Sequence, residues 1–297
     1  MVKKDFLAVI LVVLAVSSFL QGCSTISTLE KKKVRVGDIE MSYRIVGEGE
    51  PLVMIMGYSC PMEFWPSRLI KRLSSDYKII IFDNRGIGDT TSSPEDFSIE
   101  QLADDTAGLL DALGINRAHI LGWSLGGYIA QELVLKYPDK VDKLILYATD
   151  CGGDISVKPM KEVEILFDTS GSYQERMKRW ARLMFPSKWY KTRQEEIEEG
   201  FSLLREPASV DNIKRQIKAI KEWKGTCARL SQLEKATLVV VGTEDVLIPP
   251  ENSRILAKSI PHATLVEVKN CGHGLMYQYP DRFARIVLDF LNTHSEK

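Results

Sequence analysis

The sequence predicts an α/β fold: a mostly parallel sheet with helices on both faces and one inserted helical cap. Three observations carry this. Short apolar runs closing on glycine or a carboxylate recur, as strands buried on both faces do. Amphipathic helical patterns separate them, which implies right-handed crossovers. One interval, from Gly152 to about Leu230, holds helical patterns and no strand, and is too long for a loop in a compact sheet. The 297 residues, 44% hydrophobic and 27% charged, suit a globular chain and exclude a disordered or collagen-like one. With 39 basic against 40 acidic side chains, nothing favours a nucleic-acid partner. Five scattered cysteines form neither a disulfide framework nor a C-x-x-C metal pair.

At the N-terminus, Lys3 and Lys4 precede an apolar run over residues 6–20. It is shorter than the ~20 residues that span hydrocarbon, and its basic start and small-residue end fit a secretory signal. Leu20-Gln21-Gly22-Cys23 resembles the lipobox of bacterial lipoproteins. The resemblance implies a signal peptide over residues 1–22, lipidation of Cys23, and membrane anchoring in the bacterial envelope by several acyl chains. Ser24 resembles lipoproteins sent to an outer membrane, where the organism has one. The alternative is an uncleaved signal anchor. Residues 23–33 are polar and aperiodic, and read as a tether.

The body follows. Residues 34–36 and 41–46 suggest an opening hairpin, and residues 51–57 and 78–83 are buried parallel strands. A helix over 99–113 has Ser98 as N-cap, Gln101 at capping-box spacing and Gly114 at its end. A strand at 119–123, a helix at 125–137 and a strand at 141–148 come next. In the strandless interval, Tyr173, Met177, Trp180 and Met184 recur at helical spacing, as do Val210, Ile213, Ile217, Ile220 and Trp223. A strand at 236–242, a helix near 253–260, a strand at 263–268 and a helix at 281–291 complete the set. The core is thus 34–152 with 231–297, and the cap 153–230.

Gly122-Trp123-Ser124-Leu125-Gly126 matches G-x-S-x-G between a strand and a helix, the setting of a nucleophile elbow. Serine needs a base. His119 begins the strand that ends at Ser124, about 16 Å away at ~3.3 Å per residue. His262 precedes its strand, and His294 is in the terminal tail. His273 follows the last strand and shares the carboxyl edge with Ser124. The acid that orients the imidazole is Asp245, just after the preceding strand, with Asp150 as positional rival. The order Ser, Asp, His is that of α/β-hydrolases.

From about Val34 to Leu291 the chain resembles the α/β-hydrolase superfamily, in its capped esterase, haloperoxidase-like and lactonase-like branch. The resemblance rests on Gly-Trp-Ser-Leu-Gly-Gly at 122–127, Asp-Asn-Arg-Gly-Ile-Gly at 83–88, Gly-Thr-Glu-Asp at 242–245, and Gly272-His273. It implies Ser124 as nucleophile, Asp245 as acid and His273 as base. Where the family commonly reads His-Gly-x, Met56-Gly57-Tyr58 stands here. The oxyanion donors expected by position are the backbone N–H groups of Tyr58 and Leu125. Residues 83–88 read as a structural turn beside the site.

The expected chemistry is hydrolysis of a small-molecule, ester-like substrate through an acyl-enzyme, with no metal and no organic cofactor. Serine at the elbow argues against dehalogenase and epoxide hydrolase relatives, which use aspartate there. Cofactor-free haloperoxidase or perhydrolase action, or a non-catalytic envelope scaffold on the same fold, are the alternatives. Met177, Trp180, Phe185, Trp189 and Tyr190 are candidate pocket lining, or else the cap's packing face. Of the remaining cysteines, Cys151 and Cys227 flank the cap and could tie its base. The alternative is four separate thiols, with Cys60 and Cys271 near the site.

Overall fold

The computed structural model describes residues 29–202 and 206–293. The expected signal segment, Cys23 and His294 lie outside them. Eight strands form one sheet in the order β1-β2-β4-β3-β5-β6-β7-β8. β1 (Lys32–Val36) and β2 (Ile39–Val46) make the expected hairpin, and β2 runs antiparallel to β4 (Lys78–Phe82). From β4 onward through β3 (Pro51–Ile55), β5 (Ala118–Trp123), β6 (Val141–Tyr147), β7 (Thr237–Gly242) and β8 (Ala263–Val268), every pairing is parallel.

Lys32 and Lys33, which read as tether in sequence, belong to the sheet. β1 begins at Lys32, paired with Tyr43. The backbone of Leu29 accepts from Arg44, and Lys31 pairs with Glu63 at 2.9 Å. Exposed lysines at 32 and 33 read as a linker in sequence, but they suit an edge strand, where charge discourages pairing with a second chain.

Side chains alternate across the sheet. From β3, Leu52 and Met54 enter the core shared with α1 (Ser67–Leu73) and α10 (Pro280–Leu291). Val53 and Ile55 enter the opposite core, covered by α2 (Ile99–Ala112), α3 (Leu125–Lys136) and α8 (Pro250–Ser259). Ser98 caps α2 by accepting from the Gln101 N–H at 3.2 Å. The Gln101 side chain turns to Asp105 rather than closing the box. α1 was not anticipated. Its Leu69, Ile70 and Leu73 are fully buried, at about 1.5–3 kcal/mol each relative to exposure.

Between β6 and β7 the described residues form no strand. They fold as a 3-10 turn (Lys161–Phe167) and helices α4 (Tyr173–Met184), α5 (Ser187–Lys191), α6 (Gln194–Ser202) and α7 (Val210–Glu222). A Ser172–Glu175 capping box starts α4. A disulfide joins Cys151 to Cys227, with Cα atoms 4.9 Å apart, so the roots of this insertion are tied to each other. Cys60 and Cys271 are free and buried. α9 (Leu275–Gln278) is a single turn after β8. Among the described residues no helix is long and apolar enough to cross a membrane.

Candidate active site

The parallel register brings the carboxyl ends of the central strands to one edge. Ile55 of β3 pairs with Gly122 of β5, Trp123 of β5 with Tyr147 of β6, and Gly242 of β7 with Val268 of β8. The loops leaving that edge carry Tyr58, Ser124, Asp245 and His273.

Ser124 sits between β5 and α3 with φ 55 and ψ −119. A non-glycine residue held there stores of order 1–3 kcal/mol, which its surroundings must over-determine. They do. Its N–H donates to the Tyr147 carbonyl at 2.9 Å. Its carbonyl accepts from the Gly127 N–H and the Thr149 hydroxyl, each at 2.8 Å. The elbow also needs close backbone approach. A Cβ on Gly122 would collide with Gly126 and Gly127, and one on Gly126 with the carbonyls of Ile55 and Met56.

His273 Nδ1 lies 2.8 Å from Asp245 Oδ2, with both side chains buried. The other carboxylate oxygen accepts from the N–H groups of Leu247 and Ile248, each at 2.9 Å. Asp245 is therefore fixed in orientation, and Nε2 is the imidazole nitrogen left for the cavity. His273 itself is held by its carbonyl, which accepts from the Tyr147 hydroxyl at 2.6 Å. Tyr147 thus touches both expected partners: its backbone oxygen holds Ser124 and its phenol holds His273. The Trp123 ring, adjoining Ser124 in sequence, is 5.4 Å from the imidazole.

Asp150, the positional rival, is committed elsewhere. It accepts from the Tyr128 hydroxyl at 2.8 Å, from the Gly152 N–H at 2.6 Å and from the Ser156 hydroxyl at 3.1 Å. His119 lies at the far end of β5, 3.3 Å from both Glu50 and Asp142. The 83–88 turn is structural. Arg85 pairs with Asp38 and Asp105, and Asp83 accepts from the N–H groups of Met62 and Asp89.

Ser124 and His273 line one cavity of about 700 Å³, within the range of small-molecule sites. Tyr58 and Leu125 line it too. Neither backbone N–H has an acceptor among the described residues, so two donors remain unspent beside Ser124. Of the five aromatic and methionine candidates, Trp180 alone lines this cavity; Met177 borders a smaller neighbouring one. Phe185 and Tyr190 are packed in the core. The lining comes instead from Val163, Leu166 and Phe167 of the 3-10 turn, positions whose spacing carried no signal, and from Ile220 and Trp223 of the second helical stripe. Cys60 also lines the cavity, but burial pushes its thiol far up and disfavours the thiolate.

A family model described as "Alpha/beta hydrolase family" matches residues 52–286. The chain belongs to the α/β-hydrolase family. Among curated relatives of this hydrolase is a protein of Pseudomonas savastanoi pv. phaseolicola named "Putative carbamate hydrolase RutD". It is 29% identical over 248 residues, covering 82% of this chain and 94% of that protein. A 2-hydroxy-6-oxononadienedioate/2-hydroxy-6-oxononatrienedioate hydrolase of Pseudomonas putida is 28% identical over 281 residues, covering 87% and 94%. Among solved structures, a hydrolase from Pseudomonas aeruginosa PA01 superposes with TM-score 0.78 at 23% identity, covering 89% of this chain and 99% of that one. The N-acyl homoserine lactone degrading enzyme Est816 gives TM-score 0.72 at 25% identity, covering 87% and 100%.

Proposed function

We propose that this α/β-hydrolase is a serine hydrolase that cleaves an ester-like carbonyl compound through an acyl-enzyme. The observation that carries the reading is the strained elbow serine sharing one cavity with an imidazole whose Nδ1 is held by a buried carboxylate. In this mechanism His273 Nε2 takes the Ser124 proton as Oγ attacks, and the tetrahedral oxyanion lies against the Tyr58 and Leu125 amides. The protonated imidazole, stabilised by Asp245, then gives its proton to the leaving group. Water, deprotonated by the same nitrogen, releases the acid. Fluorophosphonate labelling with Ser124→Ala as control tests it. The serine should label once and the variant not at all; an unlabelled, folded wild type overturns the reading.

The names of the relatives favour a second reading of the substrate, a carbamate or a vinylogous keto acid. Both present a carbonyl to Ser124; the group that leaves and takes the imidazolium proton is a heteroatom in the carbamate and a carbon in the keto acid. Matched esters, carbamates and 6-oxo-dienoates, compared by kcat/KM, separate the cases.

We also propose that Cys23 is lipidated and holds the enzyme at the bacterial envelope. The lipobox-like Leu-Gln-Gly-Cys after an apolar run supports it. A processed Cys23→Ala variant should leave the membrane fraction; its recovery in the pellet refutes anchoring.

A further inference from the structure

The loop carrying Tyr58 lacks the histidine that usually marks it, so something else must hold its shape. Ser59 takes φ 57, a left-handed conformation that non-glycine residues rarely adopt without support. Its N–H donates to Gln216 Oε1 at 2.6 Å, across 157 positions of sequence. Gln216 lies on α7, in the insertion, and is fully buried. Its Nε2 has no partner among the described residues. Burying an amide with one end unsatisfied is unfavourable, and an aliphatic residue of similar size would avoid it. What the glutamine adds is an acceptor at Ser59.

That acceptor acts on the neighbouring peptide. The Tyr58 carbonyl and Ser59 N–H share one rigid plane, and the Gly57 carbonyl and Tyr58 N–H share the plane before it. The second plane is steadied by the Cys60 N–H donating to the Gly57 carbonyl at 3.3 Å. With Ser59 fixed from above and Gly57 from within the loop, little freedom remains at Tyr58. We infer that Gln216 is a positioning residue: it aims the Tyr58 N–H, and so couples the seating of the insertion to stabilisation of the oxyanion. The inference rests on the proposed role of that N–H.

α7 has independent anchors, so the fold does not depend on this bond. Asn212 Nδ2 donates to the Gly86 carbonyl at 3.0 Å, Arg215 donates to the Ser93 carbonyl at 2.9 Å, and Ile213 and Ile217 pack on Ile87.

The test compares Gln216→Leu, which removes the acceptor, with Gln216→Glu, which keeps an oxygen in either protonation state. Each full-length variant is titrated for active sites and assayed on a p-nitrophenyl ester. Its affinity for an alkyl boronic acid, whose tetrahedral adduct occupies the oxyanion position, is then measured. Gln216→Leu should lose about 100-fold in kcat and in boronic acid affinity, the scale set by a misplaced oxyanion donor, with KM within about 3-fold. Gln216→Glu should stay within about 10-fold of wild type in both. If Gln216→Leu does not fold, Gln216→Met makes the same comparison. Wild-type kcat and boronic acid affinity without the acceptor overturn the inference. So does equal loss in the leucine and glutamate variants. Absence of labelling at Ser124 in the wild type instead sinks the serine reading, and this inference with it.

Discussion

Replacing Asp245 by asparagine separates orientation from charge. The carboxylate accepts the imidazole Nδ1–H on one oxygen and two backbone N–H groups on the other. Asparagine can match one side only. With its oxygen towards Leu247 and Ile248, the NH2 faces Nδ1, which must then accept, so the imidazole proton moves to Nε2 and the base is lost. The flipped amide sets its NH2 against the buried Leu247 donor, at about 1–3 kcal/mol when unsatisfied, and against the half-buried Ile248 donor. The first arrangement wins, and it disables the imidazole. A wrong tautomer of this kind lowers kcat by about 10⁴, or about 5 kcal/mol of barrier. The assay is ester hydrolysis by Asp245→Asn per folded molecule, with melting temperature as control and Asp150→Asn in parallel. An Asp245→Asn enzyme within about 10-fold of wild type, or an Asp150→Asn enzyme that falls further, would refute the assignment of the acid.

Tyr147→Phe strips the partner from the His273 carbonyl and the Met276 N–H. It should cost about 1–3 kcal/mol of stability and lower kcat more than it raises KM, as thermal melts and steady-state kinetics would show. Replacing Cys151 and Cys227 with serine opens a bridge between residues 76 apart in sequence, worth about 4.5 kcal/mol in a loop-entropy account. The melting temperature should fall by roughly 7–10 °C. Burial, then the nearby Glu63, push the Asp83 carboxyl up to about 7 against its backbone donors. The folded state therefore holds this proton more tightly than the unfolded one. That contribution is complete below about pH 4 and is lost as pH rises through about 7. Asp83→Asn should flatten the slope of melting temperature against pH between those values.

The sheet was legible because its strands are continuous apolar runs, a pattern that local sequence carries by itself. That Ser124, Asp245 and His273 share one edge of the sheet was legible for a related reason. In a parallel sheet, position after a strand fixes the edge, and only one of the four histidines fits. What stayed hidden depends on contacts between distant segments. Tyr147 is one more apolar strand residue until its phenol meets His273. Gln216 is one polar residue on an amphipathic helix until Ser59 turns towards it. Lys32 and Lys33 looked like linker because an edge strand has no apolar face to show on both sides. The cap's aromatic stripe stayed open between pocket lining and packing face because helical periodicity identifies buried faces without saying whether core or empty space lies opposite.

The bridged roots of the insertion have an evolutionary corollary. With Cys151 and Cys227 held 4.9 Å apart, the sheet meets a short stem whatever hangs beyond it. Segments could be lengthened, trimmed or exchanged distal to that stem while the strands keep their spacing and the catalytic edge keeps its shape. Such a graft point lets selectivity drift over generations without renegotiating the scaffold that performs the chemistry.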